Sequence, residues 1–199
     1  MEFELSIGEE NSRTLTMLVN DFEENYLAKH YGDIDMKKAY KMFLVDIKDY
    51  NIKERIQARF ELVDKIKKSG FYEELYAIND SVWYDKSENI YHLRTKSLLP
   101  NGEYKIGKHE ISYGRSAKTN IEETIKKHYS FKNRNFNSKF WNALKNIGEK
   151  EQYIYEYIDN TEAMGSAVAF ALANGFLNSH LDYSDYFVKR IIVTEFVEY

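Results

Sequence analysis

Apolar residues recur along this chain in two rhythms, and the change between them falls near residue 80. The opening "MEFELSI" alternates Phe3, Leu5 and Ile7, which predicts a strand. Leu15, Leu18, Val19, Phe22 and Tyr26 follow at spacings of three and four and predict a helix over roughly 10–30, stopped by Gly32. Met36, Tyr40, Phe43, Leu44 and Ile47 predict a second helix. Ile52, Ile56, Phe60, Val63 and Ile66 predict a third, with Lys65, Lys67 and Lys68 before Gly70 as its C-terminal signal. A short helical turn over 71–78 closes this region.

From residue 81 the period shortens to two. Aromatic and β-branched runs separated by "DKSEN", "PNG" and "GKH" predict an antiparallel meander with strands near 81–85, 89–97, 103–106 and 110–113. Pro100, the one proline, sits in the middle turn. Helices near 120–129 and 138–148 follow, then "QYIYEYI" as a strand, an apolar helix over 160–177, and "YFVKRIIVTEFVEY" as a closing strand. The class is α+β: an N-terminal helical lobe packed with a largely antiparallel sheet, plus C-terminal helix-strand elements. One domain over 1–199 is expected, with lobes at 1–80 and 81–199.

Composition narrows the chemistry. The absence of cysteine excludes disulfides and thiolate metal sites. No apolar run approaches the ~20 residues of a membrane helix, and the acidic start lacks a signal peptide's basic n-region, so a cytoplasmic protein without a membrane partner is expected. Lysine far exceeds arginine, and Asn, Ile, Tyr and Phe abound, a low-GC codon signature that suggests a low-GC bacterium or one of its phages or mobile elements.

Charge is segregated. Residues 1–34 carry 2 basic and 8 acidic groups, 115–150 carry 9 and 3, and 151–199 carry 2 and 8. Such asymmetry either steers a charged partner or folds acidic ends against a basic middle.

The basic middle contains "KKHYSFKNRNFNSKFWNALKN" (126–146). Part of its charge has a structural reading. Thr119 and Glu122 have capping-box spacing, and Lys126, Lys127 and His128 then complement the dipole at that helix's C-terminus. Ser138 is a good N-cap for the next helix, whose Phe140, Leu144 and Ile147 face the core with Trp141 on the shoulder. The loop between is less ordinary: Phe131 and Phe136 flank Lys132 and Arg134. Rings beside cations stack and neutralise, so Tyr129, Phe131, Lys132, Arg134, Phe136, Lys139, Trp141 and Lys145 form the candidate partner-binding set.

Catalytic signals are weak. His180, Asp182 and Asp185 have an H-x-D-x-x-D spacing, but they occupy a turn where such residues belong for conformational reasons. His109 and Glu110 would point to opposite faces of a strand, as would Glu195 and Glu198. Gly165, Ser166, Ala167, Ala169, Ala171 and Ala173 suggest a closely packed helix at the structural centre. No nucleotide-binding or nucleophile-elbow motif is present. The expectation is a non-catalytic, inhibitor-type interaction protein that binds a protein or ribonucleoprotein, with no cofactor and no metal. The alternatives are direct single-stranded nucleic-acid binding and a small hydrolase with an unrecognised site.

Overall fold

A computed structural model describes residues 2–52, 56–113, 120–165 and 168–198. The order of elements is α1 (Glu2–Ile7), α2 (Glu9–Asp21), a π-helical stretch (Phe22–Leu27), α3 (Ala28–Tyr31), α4 (Met36–Lys48), β1 (Ile56–Gln57), α5 (Phe60–Lys68), α6 (Phe71–Leu75), β2 (Tyr76–Asp85), β3 (Ile90–Leu98), β4 (Tyr104–Ser112), α7 (Ile121–Ser130), β5 (Lys132–Arg134), α8 (Lys139–Gly148), α9 (Gln152–Met164), α10 (Ala169–Asn178), α11 (Tyr186–Phe196) and β6 (Val197–Glu198). The fold is α+β, with helices around an antiparallel sheet ordered β4-β3-β2-β5.

The N-terminal helices follow the apolar spacing. One helical rod runs through α2, the π-helical stretch and α3, and Gly32 ends it at φ 72°, a conformation that glycine adopts without strain. Asp35 caps α4 by accepting the Lys38 N–H, and Tyr40, Phe43, Leu44 and Ile47 are buried on one face.

Four sequence expectations are corrected. Residues 2–7 are helical: Phe3 and Ile7 are buried four apart, while Leu5 points to solvent. The third helix is shorter than its apolar spacing suggests, because Ile56–Gln57 pairs in parallel with Val197–Glu198 and helix resumes only at residue 60. "QYIYEYI" belongs to α9, where Ile154, Tyr157, Ile158 and Thr161 make a buried helical stripe. "YFVKRIIVTEF" is α11, capped by Asp185, and its run from Arg190 to Phe196 is buried throughout. A helix enclosed on all sides reads in sequence like a buried strand, since neither has a polar face to set a period.

The structural centre is therefore α11, not the small-residue helix. The stretch 160–177 breaks at Gly165 (φ 72°), and Val168 and Phe170 of its second half are exposed. Ser166 and Ala167 lie outside the described residues. Two apolar clusters result. The large one gathers α1, α2, α4, α5, α6, α8, α9 and α10 around α11, and a small one of Val82, Tyr91 and Leu93 lies between the sheet and α7.

"DKSEN" and "PNG" are the two reversals of the meander, whereas "GKH" lies inside one continuous strand, β4. In the second reversal Gly102 donates to the Leu99 carbonyl and Leu99 donates to Glu103 O at 2.8 Å. Gly102 takes φ 85° there, closing a three-residue hairpin loop.

Candidate interaction surface

The stretch 126–146 divides between interior and surface. Asn120 caps α7 by accepting the Glu122 and Glu123 N–H groups; Thr119 lies outside the described residues. Ser138 caps α8 by accepting the Trp141 N–H. Trp141 is completely buried rather than on a shoulder, and its indole N–H donates to Glu162 at 2.7 Å. Phe136 stands edge-on to it with ring centroids 5.0 Å apart. Lys145 reaches the same Glu162 carboxylate at 2.5 Å.

Arg134 turns inward as well. Its guanidinium pairs with Glu195 of α11, and the two side chains are 7% and 4% exposed. Tyr157 donates its hydroxyl to the same carboxylate. Burial and the adjacent Glu195 charge push the Tyr157 phenol well above its ordinary pKa, so it stays a neutral donor. Asn135 is buried too, and its amide donates to Glu73 O and Leu98 O at 2.8 and 2.9 Å. The loop is thereby fastened to the sheet and to α6.

What remains outside is a smaller group. Phe131 is 52% exposed, Tyr129 is exposed, and Lys139 is exposed. The Lys132 ammonium lies over the Tyr72 and Tyr76 rings at 5.4 Å from each centroid. The eight residues thus do not converge on one surface. Charge segregation is partly internal: Arg134–Glu195, Lys145–Glu162 and Lys150–Glu2 each join the basic middle to an acidic end.

The sheet supplies a larger surface that pattern reading missed. Residues directly opposite in adjacent strands share a face. One face is covered by α7 and holds Val82, Tyr91 and Leu93. The other is open. Along it Trp83, His92 and Glu110 form one row, Arg94 and Lys108 the next, and Ile78, Lys96 and Ile106 a third. A bulge between Asn79 and Ser81 makes this possible, because Ile78 and Trp83 would otherwise face opposite ways. The bulged Asp80 binds the Arg94 fork at 2.8 and 3.0 Å.

Three apolar side chains on the open face are left in solvent: Trp83, Tyr104 and Ile106 are 47%, 39% and 50% exposed. Polar neighbours fix their positions. Trp83 stacks on His92 at 5.0 Å and 12°. The Lys96 ammonium sits 3.4 Å above the Tyr104 ring, and Tyr104 donates to Glu73 at 2.6 Å. That bond raises the Tyr104 phenol to about 12. The face carries both signs, with Asp80 and Glu73 set beside Arg94 and Lys96.

Asp85, Glu88 and His92 bring their ligand atoms within 4.8 Å of one another, whereas other chemical candidates are engaged in the fold. Asp182 accepts from the Ser184 N–H and hydroxyl and pairs with Lys37, which holds its carboxyl at about 2. Asp185 caps α11 and accepts the Tyr153 hydroxyl at 2.8 Å. His128 is buried against Tyr113, 3.2 Å from its hydroxyl, and burial lowers its pKa. A cleft of about 250 Å³ opens between α9 and α10, floored by Leu172 and Phe176. Two of its phenols, Tyr153 and Tyr157, already donate to Asp185 and Glu195. Among the described residues no helix is long and apolar enough to cross a membrane. No protein-family model, curated protein or solved structure matches the chain.

Proposed function

We propose that this protein works by binding a protein partner, and that the open face of the β2–β3–β4 sheet is the main contact. The observation that carries the reading is the exposure of Trp83, Tyr104 and Ile106 on the part of the sheet face that, among the described residues, lies beyond the core contact at Tyr76 and Arg134. Aromatic residues and arginine are the side chains that most often anchor protein interfaces. The mixed charge around them favours a folded surface of mixed polarity over a polyanion. An inhibitor-type role, such as one carried by a phage or mobile element of a low-GC bacterium, is the specific form proposed: a protein seated on a partner's surface blocks what that surface does.

Single-stranded nucleic acid is the second reading, supported by rings next to Arg94, Lys96 and Lys108 on a β-sheet. Salt titration separates the two. Nucleic-acid binding falls steeply with salt, and Arg94→Ala with Lys108→Ala lowers the log–log slope by about two. Undetectable binding to single-stranded RNA and DNA at low salt removes this reading and leaves the first. Retention of a protein partner by the wild type and its loss from Trp83→Ala supports the first; equal retention by both contradicts it.

A further inference from the structure

The two edges of the sheet are treated differently by the fold. At one edge β5 is only three residues long, and past its end the Tyr129 hydroxyl accepts the Val82 N–H at 3.1 Å. That edge is short and capped, as edges of stable monomers usually are. At the other edge β4 runs nine residues without proline, and its pairing with β3 is unbroken from Leu98–Tyr104 to Ile90–Ser112. Among the described residues nothing pairs with its outer side.

The hairpin loop fixes which β4 groups point outward. The Leu99 N–H bond to Glu103 O makes Leu99–Glu103 a hydrogen-bonded pair. Pairs alternate along an antiparallel ladder, so Lys105, Gly107, His109 and Ile111 bond to β3. Tyr104, Ile106, Lys108 and Glu110 therefore direct their N–H and C=O groups away from the sheet.

We infer that β4 is a self-association edge, and that its occupant is β4 of a second copy of this chain. A two-fold axis perpendicular to the sheet pairs the strands antiparallel with the open faces on the same side. Only registers that set outward residues against outward residues close the hydrogen bonds. Centring on Lys108 opposes Lys108 to itself. Centring on Gly107 sets Ile106 against Lys108. Centring on His109 sets Lys108 of each copy against Glu110 of the other, on the same face, twice. Opposite charges across a strand pair are favourable and like charges are not, so charge selects this last register. Ile106 then lies opposite Ser112, and His109 lies opposite His109 in a pair without hydrogen bonds. The result is one sheet of eight strands, and it does not depend on what the open face binds.

Cysteine cross-linking tests it directly, because the chain contains no cysteine. In a non-hydrogen-bonded pair opposite Cβ atoms lie about 4.5–5.5 Å apart, near disulfide reach. His109→Cys is expected to give a disulfide dimer on mild oxidation, and Lys105→Cys, at the strand's far end, is not. Sedimentation should show the mass rising with concentration from 23.6 kDa towards twice that value. Lys108→Pro removes an outward N–H without touching the β3 ladder, and should restore the monomer with an unchanged circular dichroism spectrum. Glu110→Lys should weaken the dimer, and Lys108→Glu added to it should restore association. A monomer at all concentrations, a dimer indifferent to Lys108→Pro, or cross-linking at Lys105→Cys equal to that at His109→Cys would overturn the inference.

Discussion

Arg134 at the sheet's edge strand and Glu195 in the central helix α11 form an ion pair closed off from solvent, 61 residues apart in sequence. The pair joins β5 to the core, and Tyr157 completes it from α9. Removing one partner of a buried pair leaves an uncompensated charge, which typically costs ~3–5 kcal/mol. Arg134→Met is expected to lose that much in urea unfolding. Adding Glu195→Leu should recover a large part, since an apolar pair of similar volume needs no desolvation of charge. An Arg134→Met protein within about 1 kcal/mol of wild type would show that the pair is not a stabilising contact.

This pair also marks where sequence reading stops. Lys132 and Arg134 stand two apart between two phenylalanines, and nothing local distinguishes one that turns inward. The distinction is made by Glu195, a residue that only the tertiary fold brings near. Ser138 was legible as a cap because a cap is a local hydrogen bond. The core face of α4 was legible because the rest of that helix meets solvent. The α11 segment was not, since β-branched residues buried on every side fit a strand equally well. Asp185 was its one local helix signal. The open sheet face was hidden for another reason: which side Trp83 takes depends on the bulge at Asp80, and single-residue register is not encoded in composition.

Glu74 makes stability depend on pH. It lies buried in α6, and its carboxylate accepts the Phe140 N–H at the start of α8 at 3.1 Å. Burial raises its pKa above the ordinary 4.5, and the hydrogen bonds offset only part of that shift. A raised folded pKa means the native state holds the proton longer than the unfolded chain. Its contribution is fully present below the unfolded value and is lost as pH rises through the folded value. Glu74→Gln keeps an acceptor for Phe140 and does not titrate. Urea unfolding measured between about pH 4 and 8 should show the variant gaining on wild type as pH rises. Parallel stability curves would contradict this assignment.

Gly148 packs closely against α9. A Cβ there would lie 3.3 Å from the Tyr155 backbone N and Cα and from Ile158 Cδ1. Two of those atoms are main chain and cannot rotate away. Alanine gains about 1 kcal/mol of helix propensity over glycine at an open helix site, whereas overpacking costs roughly 1–3 kcal/mol. Gly148→Ala should therefore lower thermal stability, and a variant more stable than wild type would show that the two helices separate freely.

Trp83 and Ile106 should behave in the opposite way. Both are about half exposed and neither belongs to the two buried clusters. Trp83→Ala and Ile106→Asp are expected to change unfolding free energy by no more than about 0.5 kcal/mol. Thermal and urea unfolding check this, and a large loss would mean these side chains hold the sheet together rather than face a partner.

The central claim is that the uncovered sheet face recognises a protein. Quantitative affinity capture from the source cells, run in parallel with the wild type and the Trp83→Ala/Ile106→Asp double variant, measures it most directly. A protein held in stoichiometric amount by the wild type and lost from the equally stable variant is the predicted result. Identical captured sets from the two proteins would contradict it.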